Sequence, residues 1–282
     1  TPDEIARLVE PTTQAGKEEM FLAKENRYVA CSDNFAKIPG APVAYWVSEK
    51  FVDIISQGNS IDNKFSVGSG LSTSDNERFL RFLWEPSFDK ISKTGNDSLK
   101  WYFFQKGGEY RKWYGNLQYV VNWENDGEEI KYWVTHNPKD PKTTSWSRRI
   151  FNTDLYFREG LTWSVICSND ISFRLSPSNT MISNAAGGIF GFENQLDDLY
   201  MLFAGINSKV WGKIFRLLNP TINYSSGIIQ KAPIPTLREK TINIVKQNIS
   251  LSKSDWDSFE TSWDFTIHPL LSAKHELLAD AY

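Results

Sequence analysis

Cysteine is scarce. The two in the chain, Cys31 and Cys167, are too few and too far apart for a disulfide framework, and they have neither the Cys-x-x-Cys spacing nor the nearby histidines of a zinc site. Two buried free thiols are the expectation. Histidine is equally sparse: His136, His268 and His275 are scattered, so no Ser-His-Asp arrangement is legible and each reads as structural. Long apolar runs are missing too. The longest, such as residues 199–204, fall far short of the roughly 20 residues that a membrane-spanning helix needs. Residues 1–20 are polar and acidic, unlike the charged start and apolar middle of a secretory signal, so a cytoplasmic protein without a membrane partner is expected. There is no low-complexity tract and no repeat period, which removes disorder, solenoids and propellers from consideration.

What is present is apolar and aromatic. A hydrophobic content of 40% and an aromatic content of 14% supply ample material for a packed core. The formal net charge of −3 is at first sight awkward for a nucleic-acid binder, which needs clustered cations. Many of the acids, however, gather toward the two ends, while Lys100, Lys106, Arg111, Lys112, Lys131, Lys139, Lys142, Arg148 and Arg149 enrich an aromatic middle that Glu124, Asp126, Glu128 and Glu129 interrupt. The adjacent acids Glu128–Glu129 and Asp197–Asp198 point apart on any regular element and read as solvated surface.

Periodicity predicts an α+β fold, a mixed β-sheet unit flanked by helical segments. Short β-branched or aromatic runs at residues 101–104, 119–121, 163–166, 171–175 and 188–190 read as strands. Ser48 reads as the N-cap of a helix carrying Phe51, Ile54 and Ile55, and residues 76–84 as a short amphipathic helix. Apolar residues at three- and four-residue spacing across 195–218, interrupted near Gly205 and Asn207, predict two helices. Another should start near Thr236 and run past Val245, and residues 254–260 read as a further helix start with early acids. Trp256, Phe259, Trp263 and Phe265 would anchor that tail. The expected organisation is a connecting segment, 1–65, continuing an upstream domain, then a recognition unit, 66–235, and a helical tail, 236–282.

The most informative stretch is 106–116, KGGEYRKWYGN. It gathers cations that neutralise phosphate, glycines that let a backbone approach one, and aromatics, with Arg and Asn able to read base edges. Read as chemistry alone, it could equally be a β-hairpin whose cations face solvent.

This stretch and VVNWENDG at 120–127 resemble a signature of the PglX-like adenine-specific DNA methyltransferases of BREX phage-exclusion systems. Residues 157–164 (FREGLTWS) and 255–265 (DWDSFETSWDF) with 268–270 (HPL) are similar to further segments of that family. Residues 70–81 (GLSTSDNERFLR) resemble GLxTGDNxRFLR, with Ser74 where the family has Gly. The similarity runs from about residue 38 to residue 271. Residues 218–235 are also similar to the end of target-recognition domains in type I specificity subunits. The resemblance implies a target-recognition part with double-stranded DNA, an upstream methyltransferase domain of the same protein, and other phage-defence proteins as partners. Candidate DNA-binding residues are Lys106, Arg111, Lys112, Trp113, Tyr114 and Asn116, with Asn122, Arg78 and Arg81.

Methyl transfer to adenine needs a Gly-rich loop for S-adenosylmethionine and an Asn/Asp-Pro-Pro-Tyr/Phe motif that holds the flipped base. The chain contains neither: residues 137–140 (NPKD) and 219–222 (NPTI) lack the second proline and the aromatic. No cofactor is therefore expected on this stretch, with S-adenosylmethionine belonging to the full-length enzyme. A combined restriction-modification enzyme would carry the same module. A carbohydrate-binding module, suggested by eleven Trp and eleven Tyr, is the reading from a different class.

Overall fold

The structure, a computed structural model, describes residues 3–8, 11–30, 32–40, 42, 44–168, 170–192 and 195–272. Cys31 and His275 lie outside them. Strands β1 (Asp3–Ala6) and β2 (Arg27–Ala30) pair antiparallel around helix α1 (Gln14–Leu22), whose N-cap Thr13 accepts the Gly16 N–H. After the single turn α2 (Ser32–Phe35) comes α3 (Glu49–Gln57), with Ser48 at its N-cap as expected.

Two sheets form the centre. One contains β4 (Leu80–Phe82), β5 (Ile91–Ser92), β6 (Trp101–Gln105), β7 (Tyr119–Asn122) and β10 (Thr180–Ile182), in the order β10-β6-β7-β4, with β5 beside β6. It is mixed, because β5 and β10 run parallel to β6 and the remaining pairs are antiparallel. The other is antiparallel, in the order β3-β11-β8-β9, from β3 (Phe65–Ser69), β8 (Gly160–Ser164), β9 (Phe173–Ser176) and β11 (Ala186–Gly191). The helices are α4 (Asn76–Phe79), α5 (Glu124–His136), α6 (Leu196–Ile206), α7 (Lys209–Leu218), α8 (Ser226–Ile229), α9 (Thr241–Trp256) and α10 (Pro269–Ser272). The fold is α+β.

Alternation along the strands distributes side chains between two cores. From β11, Ile189 enters a core with Trp163, Phe173 and Leu161, closed by Leu199, Leu202 and Phe203 of α6, Phe215 of α7 and Val245 of α9. Its neighbour Phe190 points the other way, into a core with Tyr102, Phe104, Val121, Met181 and Ile130 of α5. Strand β6 is buried at all five positions: Tyr102 and Phe104 enter that second core, while Trp101 and Phe103 face Leu83, Ile91, Val120 and Trp263. The run reads as continuously apolar because both its faces are covered. Helix α3 docks on α7 through Val52, Ile55, Ile214 and Leu217.

The structure departs from the periodicity in three places. Residues 76–84 form one helical turn, started by Asp75 accepting the Arg78 N–H, and then the strand β4. The Leu80–Val121 and Phe82–Tyr119 register captures the segment for the sheet and lets both Phe79 and Leu80 be buried. The helix expected near Thr236 starts at Thr241. Residues 254–256 end α9 rather than opening a new helix, so Asp255 and Asp257 stand at a C-terminus, where the dipole opposes them. Arg111 and Lys253 supply the counter-charges. The arm is held by Trp256, the last residue of α9, buried among Tyr114 and Leu117, and beyond the helix by Trp263, whose ring meets Phe88 and Phe103 edge-on. Phe259, expected as an anchor, is 51% exposed. Cys167 is a half-buried free thiol whose pKa burial pushes up, with Arg174 opposing.

Ser74 sits at φ 57°, the left-handed conformation that glycine adopts without a Cβ penalty. Ser74→Gly is expected to raise stability by a few tenths to about 1 kcal/mol in urea unfolding, the relieved penalty exceeding the added chain entropy. Truncation before Ser254 removes both tryptophan anchors. It should lower Tm, and Trp256→Ala alone should cost roughly 3 kcal/mol.

Candidate nucleic-acid interface

Residues 106–116 leave the end of β6 as an irregular loop rather than a hairpin. Gly107, Gly108 and Gly115 take positive φ, and so do Trp113 (72°) and Asn116 (60°). A left-handed tryptophan costs about 1–2 kcal/mol, and the surroundings must hold it. They do so along the edge of β9: the Trp113 N–H donates to Phe173 O at 2.9 Å, Leu175 N–H donates to Trp113 O at 2.8 Å, and the indole packs on Phe203. Arg174, fully buried, donates to Arg111 O and to Ser164 Oγ, and Ser164 in turn donates to Gly108 O. Burial pulls the Arg174 pKa down to about 10, with Arg111 adding to this and Cys167 opposing it, so the guanidinium stays charged at neutral pH.

On its other side the loop meets the C-terminal arm. The Arg111 guanidinium is ion-paired with Asp255, donates to Tyr114 O at 3.0 Å and lies over the Trp256 ring. Gly115 has no room for a side chain, since a Cβ there would stand 2.6 Å from Arg111 Nε and 2.9 Å from Trp256. Lys253 reaches Asp257 (2.5 Å) and Asp264 (2.6 Å). Burial alone would lower its pKa, but these two bonds outweigh that and hold it above the usual lysine value. Tyr114 is buried beside it, and burial raises the phenol's pKa.

The candidate residues therefore fall into separate groups. Arg111 and Tyr114 belong to the arm contact. Lys112 donates from Nζ to Asn207 O at 2.6 Å, at the end of α6, and Trp113 joins the core there. Asn116 ties the loop to itself by donating to Glu109 O. Arg78 and Asn122 converge on one carboxylate, that of Glu129 in α5, at 2.8 Å each. Arg81 donates to the carbonyls of Glu77 and Leu80 and lies over Trp101.

Lys106 differs from all of these. Its ammonium faces the Tyr119 ring at 5.1 Å, no hydrogen bond or carboxylate within ion-pair distance engages it among the described residues, and burial lowers its pKa. Beyond Tyr119 lie residues that the sequence patterns did not single out. The Phe82 ring stacks on Tyr119 at 4.9 Å and on Trp84 at 4.7 Å, with Trp84 47% exposed. Alternation across β4 puts Phe82 and Leu80 on one face, a signal that the helical reading of 76–84 hid. Arg174 was missed because nothing in a strand pattern marks a buried cation. Among the described residues, no three His, Cys, Asp or Glu side chains stand close enough to hold a metal, and no helix is long and apolar enough to cross a membrane.

The hydrogen bond from Arg78, with its charge, Asn122 and Lys100 adding to it, holds the Glu129 carboxyl below the usual carboxylate range, against the opposing effect of burial. A carboxylate with a depressed folded-state pKa stabilises the protein above its unfolded-state pKa, and the contribution fades as pH falls through the folded value. Because the pair is largely solvated, Glu129→Gln should cost at most about 1 kcal/mol at neutral pH. Urea unfolding should show that difference closing in strong acid.

No protein-family model matches the chain. It is 34% identical over 279 residues to the adenine-specific methyltransferase PglX of Lacticaseibacillus casei (strain Zhang), a match covering 94% of this chain and 23% of that protein. It is 30% identical over 269 residues to the adenine-specific methyltransferase BrxX of Escherichia coli O9:H4 (strain HS), covering 95% of this chain and 21% of that protein. The chain thus spans less than a quarter of the length of these relatives. The resemblance read from its motifs is borne out: nearly the whole chain is similar to one segment of the PglX and BrxX adenine-specific methyltransferases.

Proposed function

We propose that the chain is the DNA target-recognition part of an adenine-specific methyltransferase acting in phage defence, with methyl transfer carried out by a domain outside residues 1–282. The observation that carries this reading is a match along 94% of the chain to 23% of such an enzyme, in a sequence that has neither the cofactor loop nor the adenine-holding motif. A segment of that enzyme without the catalytic residues has a natural task in choosing the site, because the catalytic pocket contacts only the flipped base and its immediate neighbours.

In this reading residues 66–235 form the recognition unit, 1–65 connect it to an upstream methyltransferase domain that binds S-adenosylmethionine, and 236–282 brace it. The partner is double-stranded DNA. Among the nine candidate residues, Lys106 supports the reading best. Arg78, Arg111 and Lys112 have acidic or carbonyl partners that a phosphate would have to displace.

The purified 282-residue chain is expected to bind duplex DNA with an affinity that falls steeply with salt, while neither binding S-adenosylmethionine nor methylating DNA. Calorimetry with the cofactor and a methyl-transfer assay test the second half, and methylation by the chain would refute it. Grafting residues 66–235 into BrxX in place of its matching segment should redirect methylation to a different sequence. A chimera that stays active on the original site would remove recognition from this segment.

A further inference from the structure

The three rings at the outer edge of the mixed sheet stack in the order Trp84, Phe82, Tyr119, and Lys106 closes the far end. Phe82 and Trp84 are nearly parallel, 4° apart with centroids 4.7 Å from each other, while Tyr119 tilts by 27°. Strand β4 is an edge strand, so nothing in the sheet covers the stack laterally, and Phe82 and Trp84 are 37% and 47% exposed. Tyr119 is partly buried against the core closed by α5, so the exposed part of the stack is Phe82 and Trp84, two adjoining rings of the kind that contiguous apolar binding surfaces present. Glu85 is the nearby acid, and its carboxylate is occupied in accepting the Phe82 N–H at 2.5 Å. The stack thus ends in a free indole face on one side and an ammonium without a carboxylate on the other.

Resting on the recognition reading above, we propose that this stack is a nucleobase platform, taking an unstacked DNA base against the Trp84 indole while the phosphate backbone of the same strand passes Lys106. The chemistry favours this occupant over a protein. Every base has a π-face that an open indole can stack on, whatever the sequence, and the unpaired ammonium beside the rings is complementary to a phosphate. An adenine methyltransferase that extracts a base from the duplex leaves neighbouring bases without stacking partners, and a platform on the recognition part would stabilise that opened state.

The test uses the 282-residue chain and fluorescence anisotropy on a perfect duplex, a duplex with one unpaired base, and a single strand. Trp84→Ala should weaken binding to the unpaired-base duplex and the single strand about tenfold or more. Trp84→Phe should retain most of the affinity, and indole fluorescence should be quenched on binding in the wild type. Lys106→Ala should reduce the salt slope by roughly one unit on all three probes. Thermal unfolding controls for the fold, which an exposed Trp84 should not perturb. DNA binding by the wild type that Trp84→Ala and Phe82→Ala retain in full would overturn the platform and leave the recognition reading standing. Absence of DNA binding by the wild type would overturn both. A dimer in sedimentation that Trp84→Ala dissociates, with DNA affinity unchanged, would assign the stack to a second copy of the chain and overturn the proposal.

Discussion

Strand β6 is covered on both faces, and that requirement sets the positions of much of the chain. Its Tyr102 and Phe104 need the core closed by α5, while Trp101 and Phe103 need the opposite face covered by Leu83, Ile91 and the arm residue Trp263. Each large side chain removed from water contributes about 1.5–3 kcal/mol, so four consecutive aromatic residues outweigh any single surface interaction nearby. The arm is consequently part of the fold and not an appendage. It closes the second face of β6, and through Trp256 it braces the loop that leaves the end of that strand.

The charges belong to a different scale of energy. The surface pairs Arg78–Glu129, Arg149–Asp140, Arg216–Asp170 and Lys253–Asp257 each contribute at most about 1 kcal/mol, too little to decide the fold. Their consequence is selective. Together with Lys100–Glu124, Arg111–Asp255 and Lys131–Asp126, they tie four of the nine central cations, Lys100, Arg111, Lys131 and Arg149, to carboxylates inside the protein. The buried Arg174 does structural work of another kind, joining two strands to the loop through Arg111 O and Ser164 Oγ.

Much of this architecture could be read from residues alone, and the failures share a cause. The strands at 101–104 and 119–121 and the two helices on either side of Asn207 were legible because their apolar periods are strong and their burial is local to one face or complete. Residues 76–84 and 254–260 misled because helix propensity and capping are short-range signals worth about 1 kcal/mol, whereas strand pairing with β7 and the continuation of α9 depend on residues far away in sequence. The stack of Phe82, Trp84 and Tyr119 was invisible for the same reason: it joins two strands whose register is set by the fold. The family resemblance located the right segment but could not say which of its side chains face outward.

That last distinction bears on what a family signature means here. In residues 106–116 the aromatic and cationic side chains that make the stretch conspicuous are largely engaged within the protein: Trp113 on Phe203, Tyr114 beneath Trp256, Lys112 on the Asn207 carbonyl, Arg111 on Asp255. Pulling Lys112 away from its carbonyl would leave a half-buried acceptor unsatisfied at a cost of about 1–3 kcal/mol, comparable with what a new solvated contact could return. Such a signature is better accounted for by the demands of folding an irregular loop with five left-handed residues, Gly107, Gly108, Trp113, Gly115 and Asn116, against a sheet edge. Lys106, the residue at which the chain leaves β6, has no such engagement, and it stands at the one end of the aromatic stack where charge is available.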